Sequence, residues 1–224
     1  RRRLLVRTAE GFSFRRQALH QSLLRGVRER NRVVELNSLA ASALIGSEEL
    51  SLCERRADHL ILAERPVEGA ASLMEAARLC FEGGNYDDGV RLLARREHML
   101  GRISSQDEES RAQGLMMLAQ GLRYLGRSTE AVSVSAAAER RARWSGNGAL
   151  LVQALVWQAC TSLSVGDAGG ALSSLRDARG GLLPGEPVPR QMDMVEGETL
   201  VALGDGTRAM PFLERALLQA SDLV

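Results

Sequence analysis

The 224-residue chain contains 45% hydrophobic and 25% charged residues, the balance of a folded globular protein, which excludes a disordered one. Aromatic residues make up only 4%, so the core must come from Ala, Leu, Val and Met, which favours packed helices over a β-sandwich. The net charge is +1, which argues against a polyanionic partner. Every basic residue is Arg, so activities that need a P-loop, kinase or Schiff-base Lys are excluded.

The sequence of the N-terminal head, residues 1–45, predicts a β-hairpin followed by helices. Leu4–Val6 and Phe12–Phe14 have strand character around a turn at 9–11, and residues 15–25 and 27–45 show helical spacing of Leu and Val. Residues 1–33 contain ten Arg and two acidic residues, net +8, so the rest of the chain is net −7. We therefore predict two segments: 1–45 as hairpin and helical connector, and 46–224 as helical repeats.

The rest of the chain repeats around four glycines. Gly84, Gly126, Gly166 and Gly204 are separated by 42, 40 and 38 residues. Small residues recur seven positions before and five positions after each glycine: Ala77, Ala119, Ala159 and Gly197, then Gly89, Ala131, Ala171 and Ala209. A tight turn needs a residue that tolerates positive φ, and closely packed helices need small side chains at their contact. The pattern predicts stacked antiparallel helix pairs at about 66–101, 105–144, 147–181 and 187–222.

This arrangement resembles the tetratricopeptide repeat (TPR), in which small residues flank a glycine turn within each helix pair. The resemblance covers roughly residues 66–222 and implies an all-α, TPR-like α-solenoid after the short hairpin. Tyr86 stands where that family often places an aromatic residue. Arg96 and Ser135 depart from the pattern, because these columns usually hold apolar side chains. Pro211 is expected in the first turn of the last helix, where proline is tolerated.

The head resembles the end of a winged-helix module. The segment 5–19, with Phe12-Ser13-Phe14-Arg15-Arg16, is similar to the passage into superhelical repeats in MalT-like and other STAND or AAA-type signalling ATPases. Residues 54–60 and 69–77 are similar to the entry into those repeats. The resemblance implies a bacterial signalling or transcription-regulatory protein whose nucleotide-binding domain precedes Arg1 and contacts this chain. The start at Arg rather than Met also predicts a piece of a longer protein.

No residue pattern predicts catalysis, a metal or a cofactor. His20, His59 and His98 are each 39 residues apart, which suits a repeated structural position better than a metal site. The acidic clusters 48–49 and 107–109 suit helix starts, and the glycine-rich stretches follow helices rather than strands. We therefore expect no enzyme in this chain.

The cysteines and the apolar stretches predict a cytoplasmic protein with no membrane partner. Cys53, Cys80 and Cys160 are scattered, as reduced and buried thiols are. The longest apolar stretch, 149–160, is too short to span a bilayer, and no signal peptide is visible.

Two binding hypotheses remain. The first is a protein or peptide bound in a groove lined by the first helix of each pair, where Gln offers donors and acceptors and Met adapts to partners. Its predicted residues are Met74, Arg78, Phe81, Gln113, Met116, Gln120, Arg123, Gln153, Val156, Gln191, Met194 and Glu198. In the competing interpretation these Met pack between helices and these Gln simply face water. The second hypothesis is nucleic-acid binding through the Arg-rich head, but Arg28, Arg30 and Arg32 alternate with Glu29 on an expected solvated face, which disfavours it.

Overall fold

The computed structural model describes residues 5–8, 11–14, 17–46, 49–103, 107–183, 185 and 187–221. Within these ranges two strands are followed by eleven helices. Their bounds are β1 Leu5–Thr8, β2 Gly11–Phe14, α1 Gln17–Glu29, α2 Val33–Ala43, α3 Leu50–Leu62, α4 Pro66–Glu82, α5 Tyr86–Leu100, α6 Glu108–Tyr124, α7 Ser128–Ser145, α8 Gly148–Ser164, α9 Ala168–Gly180, α10 Arg190–Ala202 and α11 Gly206–Ser221. The chain divides into two compact units, residues 1–72 and 73–224.

The first unit contains the strand pair and a small helical core. Strands β1 and β2 pair antiparallel, with Leu5 opposite Phe14 and Thr8 opposite Gly11. Helix α2 packs on α3, and their contact buries small and medium side chains: Ala41, Cys53, Ala57 and Leu60. The side chain of His59 is part of this packing, because its Nδ1 lies 2.8 Å from Asn37 Oδ1. The predicted boundary after residue 45 falls inside this unit, in the turn after α2.

In the second unit the four repeat glycines make one and the same turn. Their φ angles are +75°, +73°, +82° and +79° in chain order, in the left-handed region that favours glycine. The amide of the residue after each glycine donates to a carbonyl five residues back, as Asn85 N does to Cys80 O at 2.8 Å and Asp167 N to Ser162 O at 3.0 Å. This is the Schellman ending of a helix, which satisfies carbonyls that the helix leaves open. The predicted glycine turns are confirmed.

The small residues lie where the paired helices meet. Ala77, Ala119 and Ala159 are fully buried, Ala131, Ala171 and Ala209 are buried, and Gly197 is buried as well. At Gly197 a Cβ atom would lie 2.5 Å from Leu213 Cδ2, so this contact between α10 and α11 has no room for any side chain. The predicted close packing of helices through Ala and Gly is confirmed.

The two polar departures from the repeat pattern are compensated inside the unit. Arg96 is only 1% exposed, yet its guanidinium donates to Glu97 Oε1 at 2.5 Å and to Ser110 O at 2.8 Å. It fits because Gly114 has no side chain, since a Cβ there would lie 2.3 Å from Arg96 Nη1. Burial lowers the pKa of Arg96. Ser135 Oγ lies 2.7 Å from Thr161 Oγ1, so a short hydrogen bond replaces an apolar contact.

The placement predicted for Pro211 is wrong. Helix α11 begins at Gly206, directly after the glycine turn, so Pro211 lies beyond the first turn and inside the helix. Its nitrogen has no hydrogen to donate to the carbonyl of Thr207, which removes one helical hydrogen bond. Pro211 is exposed, so the carbonyl left free can be hydrated.

Candidate functional site

Successive helix pairs of the second unit contact one another through their first helices. Helix α6 packs against α8, and α8 packs against α10, in addition to the contacts of each with its own partner helix. We call the solvent-facing side of α6, α8 and α10 the first-helix face. The predicted residues from Gln113 onward lie on these three helices, whereas Met74, Arg78 and Phe81 lie on α4.

Several of the predicted residues are buried or are paired with residues of their own helix, and so are not available to a ligand. Met116 and Val156 are buried in the interhelical core, as the competing interpretation expected for apolar residues in this column. Arg78 pairs with Glu75 at 2.6 Å and with Glu82, all on its own helix. Met74 and Phe81 are half-buried.

Three other predicted residues, all glutamines, are accessible to different degrees. Gln113 and Gln153 are exposed, and Gln120 is half-buried. Gln153 lines an open depression of about 420 Å³ between the start of α8 and the segment that joins α9 to α10, together with Val152, Leu182 and Pro189.

Four predicted residues meet in a second depression, of about 210 Å³, on the first-helix face. They are Arg123 from α6 and Gln191, Met194 and Glu198 from α10. Helix α8 supplies the floor between them with Cys160, Leu163 and Ser164, and Val195 completes the lining. We call this site the Arg123 depression. It offers a cation, an anion, an amide and apolar surface around one open hollow.

Arg123 is held in place by aromatic rings rather than by an acid. Its Cζ lies 5.5 Å from the centre of the Tyr124 ring and 6.0 Å from that of Trp157, distances at which a guanidinium is attracted to the ring face. Its Nε is buried and has no hydrogen-bond partner. Within the described part of the chain Arg123 forms no ion pair, so its charge remains available to a ligand.

A row of aromatic rings continues from Arg123 towards α4. Tyr124 stacks on Tyr86 with ring centres 4.6 Å apart, and Tyr86 lies 5.6 Å from the Phe81 ring. The sequence-based prediction missed Tyr124 and Trp157 as neighbours of Arg123. A usable signal existed for Tyr124, because Tyr86 and Tyr124 each lie two residues from a turn glycine in a chain with few aromatic residues.

Cys160 supplies a neutral thiol to the floor of the depression. Gln191 Nε2 donates to Cys160 Sγ at 3.9 Å. Burial raises the pKa of the thiol to about 11, against the opposing effects of nearby Arg123 and of this hydrogen bond. Near neutral pH the group is therefore protonated and a poor nucleophile.

The raised pKa of Cys160 predicts a loss of stability in alkaline solution. The folded state holds the thiol proton more tightly than the unfolded state, whose value is near 9.0, so the free energy of unfolding falls as pH rises from about 9 to about 11. The total loss amounts to about 2 to 3 kcal/mol. Urea denaturation of the wild type and of Cys160→Ala across this range should show that contribution in the wild type alone. The other cysteines and the tyrosines are shared by both proteins, so the difference between the two curves isolates Cys160. Parallel curves for the two proteins would contradict the assignment.

The described residues contain neither a metal-binding group nor a membrane-spanning helix. No cluster of three or more His, Cys, Asp or Glu side chains capable of holding a metal ion occurs among them. Likewise, none of the helices in the described ranges has the length and apolar character to cross a bilayer.

The helix pairs, glycine turns and small-residue contacts define a TPR-like repeat solenoid. The solved structures most like it include a putative kinesin light chain with nearly identical TPR-like repeats from Podosopora anserina, whose Q17M form has a TM-score of 0.64 at 17% identity over 92% of this chain and 95% of that one. The form without that substitution gives 0.62 at 18% identity, over the same shares of the two chains. BtubC (BKLC) from P. vanneervenii gives 0.60 at 15% identity over 90% of this chain and 92% of that one. No protein-family model matches the chain, and no curated protein matches it.

Proposed function

We propose that the second unit is a non-catalytic interaction module that binds a segment of a protein or peptide on its first-helix face. The observation that carries the proposal is the Arg123 depression, in which side chains from three successive repeats converge around a polar and partly apolar hollow. Helical solenoids bind their partners on extended surfaces built from several successive repeats, and this depression lies on such a surface.

The side chains of the first-helix face suit binding of a peptide better than reaction with a substrate. Gln113, Gln153 and Gln191 present amides able to donate to and accept from a peptide backbone. Met194 adds a flexible apolar contact of the kind used at adaptable binding surfaces. Of the two nucleophile-type side chains in the depression, Cys160 has a raised pKa and Ser164 donates its hydroxyl to Thr161 O at 2.7 Å, which disfavours covalent chemistry.

The wider context is part of the proposal. We place the module in the cytoplasm, as a segment of a bacterial signalling or transcription-regulatory protein related to the STAND or AAA-type ATPases. There it would couple a bound partner to an upstream domain of the same polypeptide. The support comes from the resemblance of residues 5–19, 54–60 and 69–77 to the passage into the repeats of those proteins and from the scattered free cysteines.

Selection of peptides tests the proposed function. A displayed library of random 12-residue peptides is panned against the immobilised 224-residue protein, and the enriched peptides are synthesised and titrated by fluorescence anisotropy. Met194→Ala should weaken their binding about 5- to 10-fold, because one buried apolar contact is lost. The control is Met210→Ala on α11, which removes another exposed methionine, outside the first-helix face, and should leave binding unchanged. Failure to enrich any peptide above an unrelated protein, or equal losses for the two variants, would refute the proposal.

A further inference from the structure

The charged side chains of the second unit are mostly paired within it. Ion pairs link Arg127 with Glu130, Arg141 with Glu108 and Arg179 with Glu196, at 2.7, 2.9 and 2.6 Å between nitrogen and oxygen. Arg123 and Glu198 form no ion pair with any described residue, and they do not pair with each other. These two unpaired opposite charges line the same depression.

Their positions leave a gap that a ligand can bridge. Arg123 projects from α6 and Glu198 from α10, with α8 and its Cys160 between them. Arg123, Glu198 and Cys160 all line this one hollow. The rings of Tyr124 and Trp157 hold the guanidinium of Arg123 in position but do not neutralise its charge. A half-buried arginine with no counter-ion gains from a ligand carboxylate, which it can bind through two parallel hydrogen bonds.

We infer that the Arg123 depression binds a peptide segment that carries one acidic and one basic side chain. We also infer that it prefers one order of these two side chains along the peptide over the other. The peptide carboxylate contacts Arg123, the basic group contacts Glu198, and an apolar side chain between them packs on Leu163 and Met194. In an extended peptide, side chains four residues apart point the same way and lie about 13 Å apart, with one further side chain between them on the same face. An acid and a base at this spacing therefore leave room for the apolar side chain. This inference rests on the proposed function and specifies its ligand.

Charge reversal provides the test. Peptides selected by the wild-type protein should share an acid and a base four residues apart and in one fixed order. Arg123→Glu and Glu198→Arg should each weaken binding of those synthetic peptides at least 10-fold by fluorescence anisotropy. The double variant Arg123→Glu/Glu198→Arg should bind peptides with the two charges exchanged better than the original ones. Free amino acids at millimolar concentration should not compete, because they lack the apolar spacer.

Controls separate the failure of this inference from that of the proposed function. Arg176→Glu reverses an exposed arginine of α9 outside the depression and should leave binding unchanged. Far-UV circular dichroism and melting curves verify that each variant is folded. If Met194→Ala weakens binding while both single reversals change it less than 2-fold, peptide binding stands and the charge-reading inference is overturned. The inference is also overturned if the double variant keeps the wild-type preference for charge order, or if a free amino acid competes as well as the peptides. If the wild type enriches no peptide, both proposals fall.

Discussion

Replacing Arg215 by methionine is expected to lower the free energy of unfolding by about 3 kcal/mol. Arg215 on α11 donates from Nε and Nη2 to the carboxylate of Asp193 at 3.0 and 2.9 Å, and Asp193 on α10 is fully buried. Without Arg215 this buried carboxylate keeps only one hydrogen bond, from Arg179 Nη2 at 3.2 Å. A buried charge that loses its principal partner is costly because water cannot replace that partner. Methionine retains much of the apolar chain that packs near Phe212, so the loss reports mainly on the charge.

Removing Asp193 instead of Arg215 should lower the free energy of unfolding by less. Asp193→Leu removes the buried charge itself and leaves Arg179 and Arg215, whose side chains are one-third to one-half exposed and can be hydrated. The corresponding position in the three preceding helix pairs is Leu73, Leu115 and Leu155, so leucine suits this site of the repeat. We expect a loss of about 1 kcal/mol for this variant, less than half that of Arg215→Met.

Urea denaturation near neutral pH measures both changes. The control is Arg208→Met, which removes an exposed arginine of the same helix that pairs, among the described residues, with Asp205 alone at 3.3 Å, and it should shift stability by about 0.5 kcal/mol or less. A larger loss for Asp193→Leu than for Arg215→Met would show that the three hydrogen bonds of Asp193 outweigh the burial of its charge.

The backbone of the repeats was predictable from the sequence because it depends on single residues. A turn that needs positive φ selects glycine at that position alone, and a close contact between helices excludes every large side chain at its centre. The four glycines and the two columns of small residues that begin at Ala77 and Gly89 therefore predict the fold from the sequence alone, without knowledge of which helices pack together.

The polar core and the candidate site were less predictable because they depend on pairs of residues from different repeats. The carboxylate of Asp193 fits a leucine column only because Arg179 and Arg215 reach it from neighbouring helices. Arg96 is accommodated only because Gly114, on the following helix, leaves space. Similarly, counting along the helix assigned Met116 and Val156 to the surface, whereas the packing of α8 between α6 and α10 buries them. Helical spacing defines a stripe, but the neighbouring helix decides how much of that stripe water can reach.

The strongest test of the repeat alignment is Leu175→Ala, which should lower the free energy of unfolding by about 2 to 5 kcal/mol. Leu175 stands nine positions after Gly166, where Leu93 and Leu213 stand in other copies, and it is 1% exposed. It packs in the cluster of Val152, Leu155 and Met192, so truncation removes apolar contacts from α8, α9 and α10 together and leaves a cavity.

Leu217→Ala is the matched control, because it makes the same chemical deletion at a side chain that is 73% exposed on α11. Its expected effect is about 0.5 kcal/mol or less. Both variants are measured by urea denaturation under one set of conditions. An effect of Leu175→Ala close to zero would contradict the assignment of this leucine column to the core. Relaxation of the surrounding helices cannot recover the transfer free energy of two or more buried methylene groups.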